Sequence, residues 1–506
     1  MRKFLNVFPE KSPPEGGLPD TDRPGNKDQD ELDSPSGDNQ KDPDESKKNS
    51  DNKKNQNHEG KQSAADFSNA PEIIHEHPEL KPGSLCPFCS GKLYYHKTGD
   101  HFRTRIWFEA GPLLTATRHV FEDLRCNLCK EVIHVPPSAE LIADGFEKEE
   151  RFGYRAIAML VIMKYFYAFP LYRMEKLQSH FSIHLPDATQ WDQIVKFTER
   201  SRCLFNALIY YLAQLSHFLG DDTFNAIREK DCDLIVGRTT GKISFRNGCH
   251  SSVVIGRDSQ GHYILAVKTD IIYLGEWLDE ILQHRGKNLV TPFLMVDGSN
   301  QNLVTKTPVI MLNCNQHARK MFEDCKKHFP EQCGEVLAIY KKIFKIDRKT
   351  KEMTPAERLA YHQKHSLSLF DKLQEKIAAW VEAKLSPENS PFGQACDYFL
   401  KREEALRGFL KFEGAELSNN LTESQIITIA LLRNVCEAFQ TVYSAEVASN
   451  IFSIGLTATL NNVDLLDYFS AILRYHDVLE KSPEKFFPWE YKNTIASILA
   501  QPVPTG

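Results

Sequence analysis

The 506-residue sequence predicts a mixed α/β protein: a sheet flanked by helices, interrupted by a helical insertion, and preceded by a helical region, a small cysteine-rich unit and a polar leader. Three observations carry that expectation. Short apolar runs such as TPFLMVDG and PVIMLNCN stop at polar or acidic residues, as buried strands do. From Cys314 to about Arg407, amphipathic stretches follow one another with helical spacing. Two Cys-x2-Cys steps bracket a segment that alternates in the manner of strands.

Length and composition set the bounds. The chain can build two or three cores, and 41% of its residues are hydrophobic. No apolar run approaches the ~20 residues that span a bilayer; the nearest, 156–163, stops at Lys164 and reads as a buried helix. MRKFLNVF is followed by Pro and acid, so no export signal is expected, and the 12 cysteines read as thiols and metal ligands ahead of disulfides. The net charge of −6 is unlike that of most nucleic-acid binders, but the acidic leader contributes to it and cations held by carboxylates would offset it.

Residues 1–70 are too poor in apolar surface to offset ordering entropy and are expected to be a disordered leader. Residues 71–138 carry Cys86, Cys89, Cys126 and Cys129. Two tight knuckles of this kind bring four thiolates into tetrahedral reach, the set that structural Zn²⁺ takes, with ~10–16 kcal/mol of folding free energy. His96, His101 and His119 lack the knuckle spacing and read as surface residues or competing ligands.

Residues 139–215 read as helical. Within them LYRMEKLQSHFSIHLPDATQWDQIVKFTER gives helix, turn at 184–187 and helix, with Asp187 or Thr189 as N-cap. Helix-turn-helix motifs share that outline with many helical hairpins. Residues 216–450 form the core. HFLGDDTFNAI is a strand bearing Asp221, SSVVIG and YILAV are strands around a turn at 257–261, and YLGEWLDEILQHR is a helix. PFLMVDG is a strand ending in Asp297, followed by a short helical stretch and the strand PVIMLNCN. A helical insertion at about 317–415 separates these from LSNNLTESQIITIALLRN, a helix with Glu423 in its first turn. Residues 451–506 form a helical tail.

Asp221, Asp297 and Glu423 are the candidates for shared chemistry. Acids at strand ends of an open α/β sheet can converge. Carboxylates suit Mg²⁺, and a pair of such ions stabilises both ends of a phosphoryl displacement. Spacing alone does not single these three out of 68 acidic residues, since strand-end Asp also forms turns and first-turn Glu also faces the helix dipole.

From about Cys86 to the last helix the sequence resembles the IS-sixty-six family of bacterial insertion-sequence transposases, of DDE type. GDDT at 220–223 resembles the family's A-D-E-T block and assigns the first acid to Asp221, not Asp222. CNQHARKMF at 314–322 resembles its C-W-A-H-A-R-R-K-F signature, and SPFGQACDYFLKREEALRGFL the block before the last acid. LSNNLTES at 417–424 resembles I-D-N-N-x-x-E-R and assigns Glu423; Asp297 stands where the family has its second acid. The sequence departs at Ser418, where the family has aspartate, at GSNQN after Asp297, at LRNVC in place of G-R-K-N-W, and in its polar leader, where a coiled coil is expected.

The resemblance implies a ribonuclease-H-like core in which Asp221, Asp297 and Glu423 are catalytic and hold Mg²⁺ or Mn²⁺. It implies structural Zn²⁺ on Cys86, Cys89, Cys126 and Cys129, and support of the site by Cys314 and His317, which could equally end a strand and cap a helix. Arg319 and Arg433 are candidate phosphate contacts, or surface residues; read from the residues alone, the zinc module either contacts DNA, through Arg103, Arg105, Arg118 and Trp107, or is purely structural. The implied activity is a polynucleotidyl transferase that binds DNA at the element's terminal inverted repeats, cuts it and joins it to target DNA. It would act as a homo-oligomer, with accessory proteins of the same element, in the bacterial cytoplasm on the nucleoid and with no membrane partner. The rivals are a catalytically inactive transposase-derived DNA-binding protein and a ribonuclease-H-like nuclease without strand transfer.

Overall fold

The computed structural model describes residues 79–94, 111–125, 132–146, 151–229, 233–236, 243–246, 249–385 and 387–500. The leader, Cys126 and Cys129 lie outside the described residues, as do His96, His101, Arg103, Arg105 and Trp107. The chain divides into two units, Met1–Phe108 and Glu109–Gly506. In the first, the Cys86–Cys89 turn closes on itself: Leu85 bridges Lys92, Cys86 N donates to Gly91 O, and Ser90, at φ 59°, donates to Cys86 O at 2.9 Å.

The second unit opens with a small antiparallel pair, β1 (Asp123–Arg125) and β2 (Val132–His134), and four helices: α1 (Ala139–Ala143), α2 (Tyr154–Tyr165), α3 (Leu171–Ser179) and α4 (Asp187–Gln214). The run at 156–163 lies in α2, whose Ile157, Ala158, Leu160 and Val161 are fully buried. α4 buries Ile194, Phe197, Ser201, Leu204, Leu208 and Leu212, the three-and-four spacing of one helical stripe. Its N-cap is neither Asp187 nor Thr189 but Pro186, which has no N–H to satisfy and already holds the φ needed there; Asp187 becomes the first-turn acid.

β3 (His217–Asn225) leads into a separate hairpin, β4 (Asp233–Val236) with β5 (Ile243–Arg246). The sequence gives no sign of these strands, because runs of four residues are too short to show a period. β6 (Cys249–Arg257), β7 (Tyr263–Asp270), helix α5 (Leu274–Leu282), β8 (Phe293–Val296), a 3₁₀ turn at Asn300–Asn302 and β9 (Ile310–Asn313) follow. The main sheet has the order β7-β6-β3-β8-β9. β3 runs antiparallel to β6, and β6 to β7, whereas β8 is parallel to both β3 and β9.

The expected insertion is wholly helical: α6 (Asn315–Asp324), α7 (Pro330–Lys349), α8 (Pro355–His365), α9 (Leu367–Glu382), α10 (Pro391–Lys401), α11 (Glu403–Leu406) and a 3₁₀ turn at Arg407–Leu410. It has its own core, with Phe322, Tyr340, Phe370, Phe392, Phe399 and Phe409 buried. Helices α12 (Asn420–Cys436), α13 (Val442–Leu460), α14 (Leu465–Arg474), α15 (His476–Lys481) and α16 (Tyr491–Leu499) return to the sheet. Phe452 and Phe469 join Tyr165 of α2 and Phe197 of α4 in the core beneath β3 and β6. No described helix is long and apolar enough to cross a membrane.

Candidate active site

Pairing registers bring the first two acids together. In the parallel pair β3 and β8, His217 stands opposite Phe293 and Leu219 opposite Met295. Two residues further along that register lie Asp221 and Asp297. Strand alternation then separates Asp221 from its neighbour. Gly220 and Asp222 face α5: a Cβ on Gly220 would stand 2.5 Å from Leu274 Cδ2, and Leu274 N donates to Asp222 Oδ2 at 3.1 Å. Asp221 and Thr223 face the other way, toward α12, where Arg433 Nη1 donates to Thr223 Oγ1 at 2.9 Å.

Glu423 lies in the first turn of α12, which starts beside β3. Asn419 Nδ2 donates to Gly220 O at 2.9 Å, fixing the start of α12 beside Asp221, and Glu423 N donates to Asn419 O one turn on. Burial raises the Asp221 carboxyl, the charges of Asp297, Asp222 and Glu423 raise it further, and only the Asp222 N–H at 2.9 Å opposes them; the balance lies at about 7. Asp222 is raised by burial to about 6, although Ser252 and the Leu274 N–H favour its charged form. Asp222 therefore ties β3 to β6 and α5, and Asp221 is the acid turned toward its partners.

Asp297 sits just beyond β8 in a turn that requires Gly298 at φ 94°. Its Oδ1 accepts from Ser299 N at 2.8 Å and from Asn302 Nδ2 at 2.7 Å, so GSNQN supplies the carboxylate's own holders. The insertion grips the same turn: Tyr398 donates its hydroxyl to Asp297 O, and Arg402 Nη2 donates to Gly298 O at 3.0 Å. Arg402 also lies over the Tyr398 ring, 4.3 Å from its centroid. Sequence reasoning missed Asn302, Asn419, Tyr398 and Arg402 as site residues. Asn419 lies in LSNNLTES, and Tyr398 and Arg402 in SPFGQACDYFLKREEALRGFL, blocks that the resemblance marks without assigning a role to these side chains.

Cys314 and His317 join the third acid. The Cys314 sulfur, a His317 ring nitrogen and a Glu423 oxygen lie within 4.8 Å of one another, with His317 Nδ1 3.8 Å from Glu423 Oε1. Cys314 is buried, which pushes its thiol up, and Sγ accepts from Asn419 N at 3.2 Å. Arg433 is committed within the fold, to Thr223 and to Phe224 O at 2.6 Å. Arg319 is half-buried on α6, near Gln316 and Glu323. In the first unit, the backbone N–H groups of Phe88 and Cys89 hold the Cys86 thiol below its ordinary value.

A family model described as Transposase IS66 family matches residues 149–447. The uncharacterized protein y4hP of Sinorhizobium fredii (strain NBRC 101917 / NGR234) is 24% identical over 449 residues, covering 84% of this chain and 77% of that protein. The uncharacterized protein y4jD of the same organism is 21% identical over 460 residues, covering 86% and 84%.

Proposed function

The chain belongs to the IS66 family of transposases, and from that premise we propose that Asp221, Asp297 and Glu423 form the acid set of a DDE-type DNA strand transferase. The observation that carries the reading is the register of parallel β3 and β8, which carries Asp221 and Asp297 forward on neighbouring strands, with the start of α12 fixed to β3 at Gly220. The sheet order β7-β6-β3-β8-β9, with acids on β3, after β8 and on α12, supports a ribonuclease-H-like core.

These residues fit Mg²⁺ or Mn²⁺. The three side chains offer hard oxygen donors, and bound cations would offset the repulsion that raises Asp221. Buried Asn302 Oδ1 and Asn419 Oδ1, with no partner among the described residues, are two further oxygens beside the acids. When bound, such ions lower the pKa of water and stabilise the attacking and leaving oxygens of a phosphodiester.

The chain's own part is positioning. Asp221 and Asp297 are set by neighbouring parallel strands. Cys314 fixes the start of α12 through Asn419 N, His317 faces Glu423, and Arg433 straps α12 to β3. Arg319 is left as the phosphate contact. The substrates proposed are the element's terminal repeats, cut to a 3′-hydroxyl that then attacks target DNA, with at least two copies acting together. For the proposed structural Zn²⁺ set of Cys86, Cys89, Cys126 and Cys129, support comes at Cys86 alone, whose thiolate its own turn stabilises; Cys126 and Cys129 lie outside the described residues.

A strand-transfer reaction on pre-cut ends with Mg²⁺ tests the reading. The wild type should join the end to a plasmid, and Asp221→Asn, Asp297→Asn and Glu423→Gln should each lower joining at least about a hundredfold. Joining that survives Asp297→Asn removes the second acid. Cutting without joining would reassign the protein as a nuclease, and end binding with neither as a DNA-binding protein.

A further inference from the structure

One cleft in the helical insertion has a charge that the chain as a whole does not. It has a volume of about 740 Å³ and lies between α6, α7 and the residues that open α12, Ser418 and Asn420. Arg319, Lys326, Lys341, Arg348 and Lys351 line it, against two acids, Glu323 and Asp347. Asp347 is already engaged by Arg358 at 3.0 Å and His362 at 3.3 Å, and Glu323 lies 3.5 Å from Arg319. Among the described residues no ion pair engages Lys326, Lys341, Arg348 or Lys351, all exposed. A net-acidic chain thus concentrates unpaired cations on one wall of a cleft whose lining also includes Asn420, three residues before Glu423.

The spacing suits a polyanion. Lys341 and Arg348 are two helical turns apart on α7, about 10.5 Å along its axis, which matches roughly three nucleotide steps of one DNA strand.

We propose that this cleft holds the phosphodiester backbone of the DNA segment leading into the acid site; the inference rests on the function proposed above. Contacts of this kind carry affinity without reading sequence, and each phosphate neutralised releases counterions. Arg319, whose guanidinium also approaches the Phe344 ring at 5.9 Å, would join the two sites.

The test is binding of the full chain to a short DNA duplex at a series of salt concentrations, without Mg²⁺, read by fluorescence anisotropy. The combined variant Lys341→Gln, Arg348→Gln, Lys351→Gln should flatten the slope of log K against log salt by about 0.9 per contact, roughly 2–3 units in all. The loss should be equal for end and arbitrary sequences. Lys364→Gln, Lys372→Gln, Lys384→Gln, on exposed surface outside the cleft, should leave the slope unchanged. An unaltered slope in the cleft variant, or an equal fall in the control, overturns the proposal. Strand joining is scored separately: joining with an unaltered slope sinks the cleft and spares the catalytic reading, and a flattened slope without joining does the reverse.

Discussion

At the scale of residues, the site turns on two adjacent aspartates with opposite tasks. Asp222 spends its carboxylate on Ser252 and the first N–H of α5, whereas Asp221 lies on the opposite face of β3, the one toward α12. A testable asymmetry follows for the protein without added Mg²⁺. The folded-state value of Asp221, about 7, lies above that of the unfolded chain, so the folded state binds the proton more tightly. Stability from this group is therefore fully present below about pH 4 and is lost as pH rises toward 7. Allowing for the solvent that reaches a half-buried carboxyl, the loss should be roughly 1–3 kcal/mol. Asp221→Asn should remove it, and Mg²⁺ should restore it to the wild type by mass action. Melting temperatures across this range decide the matter, and parallel curves for wild type and variant would refute it. The sequence alone could not have told the two aspartates apart, because alternation assigns faces only once the register is known. It was the resemblance of GDDT to a family block that pointed to Asp221.

At the scale of elements, α13 shows where legibility ended. β7 is an edge strand, and its outward backbone groups are met by side chains at every fourth residue of α13. Thr269 N donates to Ser449 Oγ at 3.1 Å, Val267 N to Ser453 Oγ at 2.8 Å, Leu265 N to Thr457 Oγ1 at 2.9 Å and Tyr263 N to Asn461 Oδ1 at 3.1 Å. A helix thus takes the place of a sixth strand, and the edge is closed to pairing with another chain. Ser453→Ala and Thr457→Val remove the hydroxyl without adding bulk and leave a buried N–H unpaired, and each should cost about 1–3 kcal/mol in urea unfolding. Ser497→Ala, on the exposed α16, should cost under about 0.5 kcal/mol. Equal costs at all three positions would mean that the ladder contributes nothing. The main-sheet strands, α5 and the inserted helices were readable because their periods are long or bounded by turns. A stripe of small hydroxyls in an apolar helix reads only as tolerated polarity until the strand beside it is known. α13 also runs across residue 450, where the sequence reading began the tail, because its apolar faces serve both sheet and tail.

At the scale of the whole molecule, the insertion does more than separate the second acid from the third. Asn315 N donates to Leu417 O at 3.1 Å and Asn315 Nδ2 to Leu406 O at 2.9 Å, so the chain leaves and re-enters the sheet layer through one buried asparagine. Gly408 lies so close to β9 that a Cβ there would stand 2.6 Å from Leu312 Cδ2. The insertion is thereby locked against the strand next to β8, and α10 reaches over to hold the Asp297 turn through Tyr398 and Arg402. Those hydrogen bonds go to backbone carbonyls, so they fix the position of the acid without competing for its carboxylate. Tyr398→Phe with Arg402→Met should therefore lower strand joining about tenfold or more, since displacements near 1 Å at a reacting centre can cost a hundredfold. The same variant should keep its melting temperature within a few degrees and bind DNA with an unchanged salt slope, because neither residue lines the basic cleft. If joining persisted at the wild-type rate, the acids would hold their places through the sheet alone. If activity and melting temperature fell together, the grip would be part of the fold and not a device for aiming Asp297.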